Sequence, residues 1–419
     1  MTDIVANPAK TAYAQSVYND STSAYVHPDQ ISSHKQMFST SRYTARNIPA
    51  NALTDSDALV EFRIDASAGN IDLMQIAWLQ LSIRNNDAAN NADLLPSFFL
   101  LNRVEVLIGE TLVETLYPLQ LWTEFLLLQT EEQFQAKNTY LLYDRLTADA
   151  TLNNLPPLTS RTVIIPLPLP QIAGKIPVSF IRQDTQLRCY FSTTALVQSQ
   201  GANVPSSSLA IESGFLYISG VKYSPVVKSV VGQALFGRQM ACRFYRRNQT
   251  RNDLTLTAGA PQDISITEFN GYSPDIKLVL RKKTAPQDLV QDYGRLTRVT
   301  NFDENGNPLG ITAQDQGIIE WNMFRSYPHV AHRMRSGNFN KQIYAFPWAD
   351  DVPGAIEDGL SSGDIRYKSN FSTQIVPEQS GAYELVIMTY SKAVLSIANG
   401  VVSFRIVSSG DDARGPTQN

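Results

Sequence analysis

The side chains best suited to metal or acid–base chemistry are few in this sequence. There are four histidines in 419 residues, and His329 and His332 are spaced so that two imidazoles could lie near one another. A zinc site needs at least a third protein ligand, and the adjacent Arg333 and Arg335 would repel a cation. No cysteine or paired carboxylate with suitable spacing accompanies the pair. We therefore expect no metal and no cofactor.

Phosphate-binding loops are missing as well, since the chain contains neither G-x-x-x-x-G-K-[ST] nor G-x-G-x-x-G. We expect its glycines to mark turns and the protein not to be an enzyme. A hydrolase built on paired carboxylates or a triad stays open as a weaker alternative, because such geometry is not readable from sequence.

The strongest charge feature is a basic stretch between Val221 and Arg251 that contains no acidic residue and has aromatic residues interleaved. Its cationic residues are Lys222, Lys228, Arg238, Arg243, Arg246, Arg247 and Arg251. These side chains could bind phosphate, either of lipid headgroups or of a genome. Alternatively they pair with acidic residues of a neighbouring subunit or of the same chain, which is the interpretation we favour.

Composition limits the class of protein. Charged residues make up 18% of the chain and aromatics 10%, with 22 Gly and 22 Pro, which is typical of a folded chain rich in strands and loops. The net charge of −4 argues against a coat that neutralises nucleic acid, and we expect no sequence-specific nucleic-acid binding. Two cysteines, Cys189 and Cys242, are too few for a disulfide framework and suggest buried thiols in a reducing compartment.

The elements that would position these residues are mostly strands. Apolar and polar side chains alternate with a period of two in Leu59–Ile64 and 187–191, which indicates half-buried strands, and 104–108 is a further predicted strand. One helix is predicted from Pro118 to about Gln135, where apolar residues recur at helical spacing after a proline that the first turn tolerates. The sequence predicts an all-β protein with one short helix.

Domain organisation follows from length and from breaks in the pattern. A chain of 419 residues exceeds one ordinary core and suggests two domains. The polar, small-residue stretch 197–208 marks a linker between them. The predicted parts are an N-terminal arm at 1–50, a first β-sandwich at 51–200, a second at 201–410 and a polar tail at 411–419. The arm is expected to order against a partner, with a disordered tail as the alternative.

Four segments in order resemble the major capsid proteins of the double jelly-roll lineage, found in adenovirus, PRD1, large DNA viruses and virophages. The first, 155–193, has the I-P-L-P-L strand end, a Gly loop, I-P-V-S-F and an alternating strand. The others are a strand-turn-strand-helix block at 102–127, an aromatic strand followed by a proline loop at 343–375, and closing strands at 383–406.

This resemblance implies two tandem eight-stranded jelly rolls, with a short helix in a loop of the first and an N-terminal arm. It also implies a homotrimer of pseudo-hexameric outline that tiles an icosahedral capsid. The partners would be neighbouring capsomers, penton and minor capsid proteins, and an internal membrane contacted through the N-terminal arm. The location would be the virion, after assembly inside the host cell.

Two other functions remain as alternatives. A minor capsid or scaffolding paralogue would share the same lineage. A tandem β-sandwich carbohydrate-binding protein would need an exposed aromatic platform and would leave the four-segment resemblance unexplained.

Overall fold

The structure is a computed structural model of the chain. It describes residues 36–64, 71–93, 97–128, 154–168, 178–192, 209–225, 228–229, 232, 239–283, 293–303, 305–309, 326–327, 343–358, 365–367 and 371–407, except positions 46, 50, 51, 54, 56, 267, 268 and 270. Antiparallel strands account for most of these residues, as the alternating pattern predicts.

Among the described residues, ten strands and one helix form the first roll. The strands are β1 Gln36–Thr44, β2 Leu59–Ile64, β3 Leu73–Asn85, β4 Ala92–Asp93, β5 Leu101–Ile108, β6 Thr111–Leu116, β7 Asn154–Leu155, β8 Ser160–Leu167, β9 Thr185–Phe191 and β10 Leu209–Tyr223. The helix, α1, spans Pro118–Leu128, and single 3₁₀ turns occur at Ser97–Leu100 and Val178–Phe180.

The first roll contains two four-stranded sheets, in the orders β1-β10-β3-β8 and β2-β9-β5-β6, and the small pair β4-β7. Their inner faces share one apolar core. At Gly214 of β10, a Cβ would lie 3.3 Å from Leu81 and 3.6 Å from Phe62 of the opposite sheet, which shows how closely the sheets approach. Alternate side chains of β9 are buried, as the sequence of that strand indicates.

The second roll has another ten strands and one helix. They are β11 Gln239–Leu256, β12 Gln262–Ile266, β13 Gly271–Ser273, β14 Asp275–Lys282, β15 Leu296–Phe302, β16 Ile343–Pro347, β17 Ile365–Tyr367, β18 Phe371–Pro377, β19 Gly381–Ala398 and β20 Val401–Ile406, with α2 at Val352–Asp358. The main sheet has the order β11-β19-β14-β16, with β20 beside the last part of β19, and the other sheets are β12-β18-β15 and β13-β17.

The last hairpin has the turn chemistry that its sequence predicts. Asn399 and Gly400 connect β19 to β20, and both have positive φ, 52° and 81°. Two consecutive left-handed residues match the twist of the flanking strands, and Asn-Gly is the pair that adopts this conformation most readily. Gly400 also touches the first roll, since its carbonyl accepts a 2.8 Å hydrogen bond from the Arg182 amide.

Two strands lie outside the parts to which the sequence assigns them. Residues 36–44 of the predicted arm form β1, the edge strand beside β10. Although β10 follows the predicted boundary at residue 200, it pairs with β3 and so lies in the first sheet. The roll to which a strand belongs is decided by the strands it pairs with. A linker-like composition nearby in the sequence does not show this pairing. We therefore propose that the division between the rolls lies between Tyr223 and Gln239.

Candidate functional site: the buried seam between the two rolls

The basic stretch does not form one patch in the described part of the chain. Lys222 is exposed on β10, whereas the Lys228 ammonium lies 2.8 Å from the carboxylate of Asp72 in the first roll. Asp72 is buried and also accepts a 2.8 Å hydrogen bond from the Tyr223 amide, so this pair anchors the chain where it leaves β10. Arg238 lies outside the described residues.

The remaining members lie on β11 and have different surroundings. The Arg246 guanidinium lies over the Phe404 ring at 5.5 Å, a cation–π contact with β20. Arg251 is partly exposed and lies 3.9 Å from Glu384. Arg243 pairs in register with Val394, and Arg247 is buried.

Arg247 is the centre of a buried ion-pair cluster that joins the two rolls. Its Nε and Nη2 donate to the carboxylate of Glu124 on α1 at 2.8 Å each, a forked geometry that suits guanidinium and carboxylate. Its backbone amide donates to Glu114 Oε1 on β6 at 2.8 Å, and its Nη1 lies 3.4 Å from Glu114 Oε2. The side chains of Arg247 and Glu114 are each 1% exposed. One residue of the second roll thus holds two acids of the first.

The cluster continues into the main sheet of the second roll. Tyr390 on β19 donates from its hydroxyl to Glu124 Oε1 at 2.7 Å and accepts from the Lys277 ammonium at 3.2 Å. Lys277 lies 2.6 Å from Asp275, and both side chains are fully buried. The Tyr327 hydroxyl donates to the same Asp275 carboxylate. We call the set Glu114, Glu124, Arg247, Asp275, Lys277, Tyr327 and Tyr390 the seam cluster.

Helix α1 is the element that brings these groups together. It begins at Pro118, which is tolerated at the first helical position, and its first ten residues are buried. Trp122 fixes α1 to the first roll by packing against Phe98, Phe99 and Phe125 with ring centroids 5.9 to 6.5 Å apart. A helix buried all round must contact partners on every side, and here one of them is the second roll.

The other side of α1 lies on β19. Gln120 Nε2 donates to the Thr389 carbonyl at 3.4 Å, and the Thr123 hydroxyl lies 3.6 Å from the Met388 sulfur. These contacts place α1 between the two rolls, so its polar residues become seam residues. The helix is therefore a covering element for both sandwiches.

Burial changes the acid–base behaviour of the seam. It raises the pKa of Glu114 from 4.5 to about 7, against the opposing field of Arg247. It also raises the pKa of Asp275, although Lys277 favours the charged form. In the first roll, burial raises the pKa of the Cys189 thiol to about 12, which leaves this free cysteine unreactive near neutral pH.

Sequence reasoning singled out Arg247 of the seam cluster and missed its partners. A usable signal exists in the apolar run of β14, where Asp275 and Lys277 are two residues apart and therefore on one face. Glu124 is likewise the only acid in the otherwise apolar α1. Charged residues inside apolar elements indicate buried pairs, because an unpaired buried charge is costly.

The sequence contains a motif that is typical of serine nucleophiles. The segment 359–363 spells G-x-S-x-G and lies outside the described residues. It follows α2 and precedes β17, whereas the nucleophile elbow of this motif lies between a strand and the helix that follows it. The order of elements thus does not support a catalytic serine at Ser361.

The described residues contain neither a membrane-spanning helix nor a metal-binding cluster. No helix among them is long and apolar enough to cross a membrane. Nor do they contain a group of three or more His, Cys, Asp or Glu side chains that could hold a metal ion. The His329 and His332 pair lies outside this part of the chain.

Two antiparallel β-sandwiches in tandem, with a covering helix between them, define a double jelly roll. No family model and no curated protein matches this sequence. Solved structures do match. PBCV-1 VP54, in a crystal structure fitted into a cryo-EM reconstruction of the virophage Sputnik, has a TM-score of 0.66 and 12% identity over 89% of this chain and 98% of VP54.

Two further structures give the same result. A chain of the PBCV-1 virus capsid has a TM-score of 0.65 and 12% identity, covering 89% of this chain and 97% of that one. The Faustovirus major capsid protein has a TM-score of 0.58 and 9% identity, covering 97% and 100%. The chain therefore has the double jelly-roll fold of these capsid proteins, which confirms the predicted fold class and the short helix in the first roll. The count of eight strands per roll stays a prediction.

Proposed function

We propose that this chain is the major capsid protein of a virus and that its role is structural rather than catalytic. The observation that carries the proposal is that its fold matches capsid chains along almost the full length of both partners, with TM-scores of 0.58 to 0.66. The four sequence segments resemble the same lineage independently of the coordinates.

The seam cluster supports this role physically. A capsid subunit is pulled by its neighbours at both sandwiches, so the two sandwiches must keep a fixed orientation relative to each other. A large buried interface with shared ion pairs resists such bending better than a flexible linker does. The Arg247 fork, the α1 contacts with β19 and the hairpin contact at Gly400 all hold the two rolls against each other.

The finer parts of the proposal concern assembly. Three chains would associate into a homotrimer of pseudo-hexameric outline, because each contributes two similar sandwiches. Trimers would tile an icosahedral shell and contact neighbouring capsomers, penton and minor capsid proteins. The part of the predicted arm that precedes β1, residues 1–35, would reach a minor protein or an internal membrane, and the protein would reside in the virion. A minor capsid paralogue remains the nearest alternative.

The carbohydrate-binding alternative gains no support from the described aromatics. Trp78 and Tyr217 lie on the outer face of the first sheet, but their rings stack on each other at 5.3 Å with an interplanar angle of 3°. Each ring therefore has one face covered by the other ring.

The test is the mass of the full-length protein by light scattering behind a sizing column, over a dilution series. We expect a species three times the 46.5 kDa chain mass that resists dilution, because obligate interfaces bury well over ~1,000 Å². A clean monomer at micromolar concentration would contradict the trimer, and binding to a glycan array would then favour the carbohydrate-binding alternative.

A further inference from the structure

Five charged side chains of the seam cluster are buried together. Its ionisable acids and bases are Glu114, Glu124, Asp275, Arg247 and Lys277, and each of these side chains is at most 5% exposed. With all five ionised, these described and nearly fully buried side chains carry three negative and two positive charges, a net charge of −1, and the half-buried Arg246 adds a positive charge near Glu114. A buried net charge is costly, so uptake of one proton is the simplest way for the seam to become neutral.

The three acids differ in how closely a cation approaches them. Glu124 takes the fork of Arg247, with Nε and Nη2 at 2.8 Å each. Asp275 has Lys277 at 2.6 Å and the Tyr327 hydroxyl as well. Glu114 receives the Arg247 amide at 2.8 Å but approaches the guanidinium only at 3.4 Å. Of the three acids, Glu114 thus has the longest contact with a cation.

The elements around Glu114 carry several titratable or charged groups. Opposite it on β5 is Val106, which carries no charge. The titratable or charged groups on the other elements are Arg246 and Arg247 on β11, Glu124 on α1, Tyr390 on β19, Asp275 and Lys277 on β14, Tyr327, and the exposed Arg405 on β20. Both arginines of β11 favour the charged form of Glu114, and Glu124 opposes it.

Glu114 is also placed so that its charge affects both rolls. It lies on β6, an edge strand that pairs only with β5 among the described strands, and it bonds the free edge of β11. Its carboxyl group takes the place that a neighbouring strand would occupy beside Arg247. A change at this one group therefore acts where the first roll meets the second.

We propose that Glu114 is a protonation switch in the seam: the protonated carboxyl makes the seam neutral and holds the rolls together, and its loss of a proton to solvent leaves a buried negative charge that weakens their contact. The direction of the pKa shift agrees, since burial raises the pKa of Glu114 from 4.5 to about 7. The switch would work near neutral pH, where no histidine of the described seam titrates.

The sign of the pH dependence follows from linkage. Because the folded pKa lies above the unfolded one, the folded protein binds the extra proton between pH 4.5 and about 7. The stabilisation is fully present below pH 4.5 and is lost as the pH rises through about 7. Within this window the unfolding constant should rise up to about tenfold per pH unit from Glu114 alone.

The test compares the full-length protein with Glu114→Gln by urea unfolding at pH 5, 6, 7 and 8, at one protein concentration. Glutamine keeps the shape and acceptor of the neutral acid and cannot ionise. We expect the ratio of wild-type to variant unfolding constants to rise up to about tenfold per unit between pH 5 and 7 and to level off above. Glu110→Gln, on the exposed turn beside the same strand, is the matched control and should keep the wild-type profile.

Parallel pH profiles for wild type and Glu114→Gln would overturn the proposal. If the variant does not fold, infrared titration of the wild-type protein with ¹³C-labelled glutamate decides the question. A protonated glutamate band that persists at pH 6 and disappears as the pH passes about 7 is expected. Absence of that band at pH 6 would contradict the switch, since other glutamates ionise near their ordinary pKa.

Discussion

Strands β9 and β19 show how differently the two rolls use their sheets. In β9 of the first roll, buried side chains alternate with half-buried ones, so one face meets the core and the other faces outward. In β19 of the second roll, nearly every residue from Leu385 to Ile397 is buried, because α1 and the first roll cover the face that would otherwise be outside. A sheet covered on both faces loses the alternating pattern.

The difference explains where the buried charges lie. On an outward face, charged residues can be solvated, as in the Arg84–Glu212 pair, where the side chains are 45% and 36% exposed. On the covered face of β19 and its neighbours the charged side chains are buried, so each charge needs a protein partner. The second roll therefore meets the first through a polar network, and a mutation should cost most where that network is covered.

The largest effect is expected for Arg247→Met. This change keeps much of the side-chain volume but leaves Glu114 and Glu124 buried without their cation, which costs about 3–5 kcal/mol of unfolding free energy. Urea unfolding of the full-length protein measures it. Arg84→Met on the outward face is the matched control and should change stability by less than about 1 kcal/mol. Equal losses of unfolding free energy in the two variants would show that buried and outward-facing charges contribute alike to stability.

A smaller effect is expected for Tyr390→Phe. The phenylalanine ring fits the same space, but the hydroxyl that links Glu124 to Lys277 is lost, which costs about 1.5–3 kcal/mol for hydrogen bonds to charged groups. Tyr217→Phe on the outer face of the first sheet should be almost neutral by the same unfolding measurement. A neutral Tyr390→Phe would mean that the hydroxyl does not couple the two pairs.

The second contact between the rolls, at the β19–β20 hairpin, can be tested with two glycines. Gly400→Ala must adopt φ near 81° and brings a Cβ to 2.8 Å from Arg182 Cγ and 3.0 Å from the Phe180 carbonyl. Gly259→Ala, with φ near 71°, meets no atom within 4 Å. Both pay about 1–2 kcal/mol for the left-handed backbone, and Gly400→Ala should lose more in a thermal unfolding scan. Equal losses of thermal stability in the two variants would show that the residues around Gly400 move aside without a measurable cost.

Sequence reasoning predicted local elements well where one rule decides the outcome. The β2 strand at Leu59–Ile64 has the predicted limits because its alternation ends at polar, small residues. The Asn399–Gly400 turn follows from conformational preference alone. The α1 start at Pro118 follows from its tolerated first-turn position.

Long-range pairing was less accessible. No local feature of Leu209–Tyr223 shows that it returns to the first sheet as β10, and nothing in 36–44 shows that this stretch is its neighbour β1. The seam was equally hidden, because Glu114, Glu124 and Arg247 are far apart in sequence and become partners only when α1 lies on β19. Residue spacing predicts one helix or strand at a time, whereas the contacts of the seam depend on how the two rolls are placed relative to each other.

We propose that each chain contributes two sandwiches, fixed side by side, to a capsid building block of three chains. Electron cryomicroscopy of the purified full-length oligomer tests it most directly. The account predicts a particle with threefold symmetry and six similar upright sandwiches, two from each chain, with α1 between the rolls of every pair. Particles containing a single chain, or pairs of rolls at varying angles to each other, would contradict it.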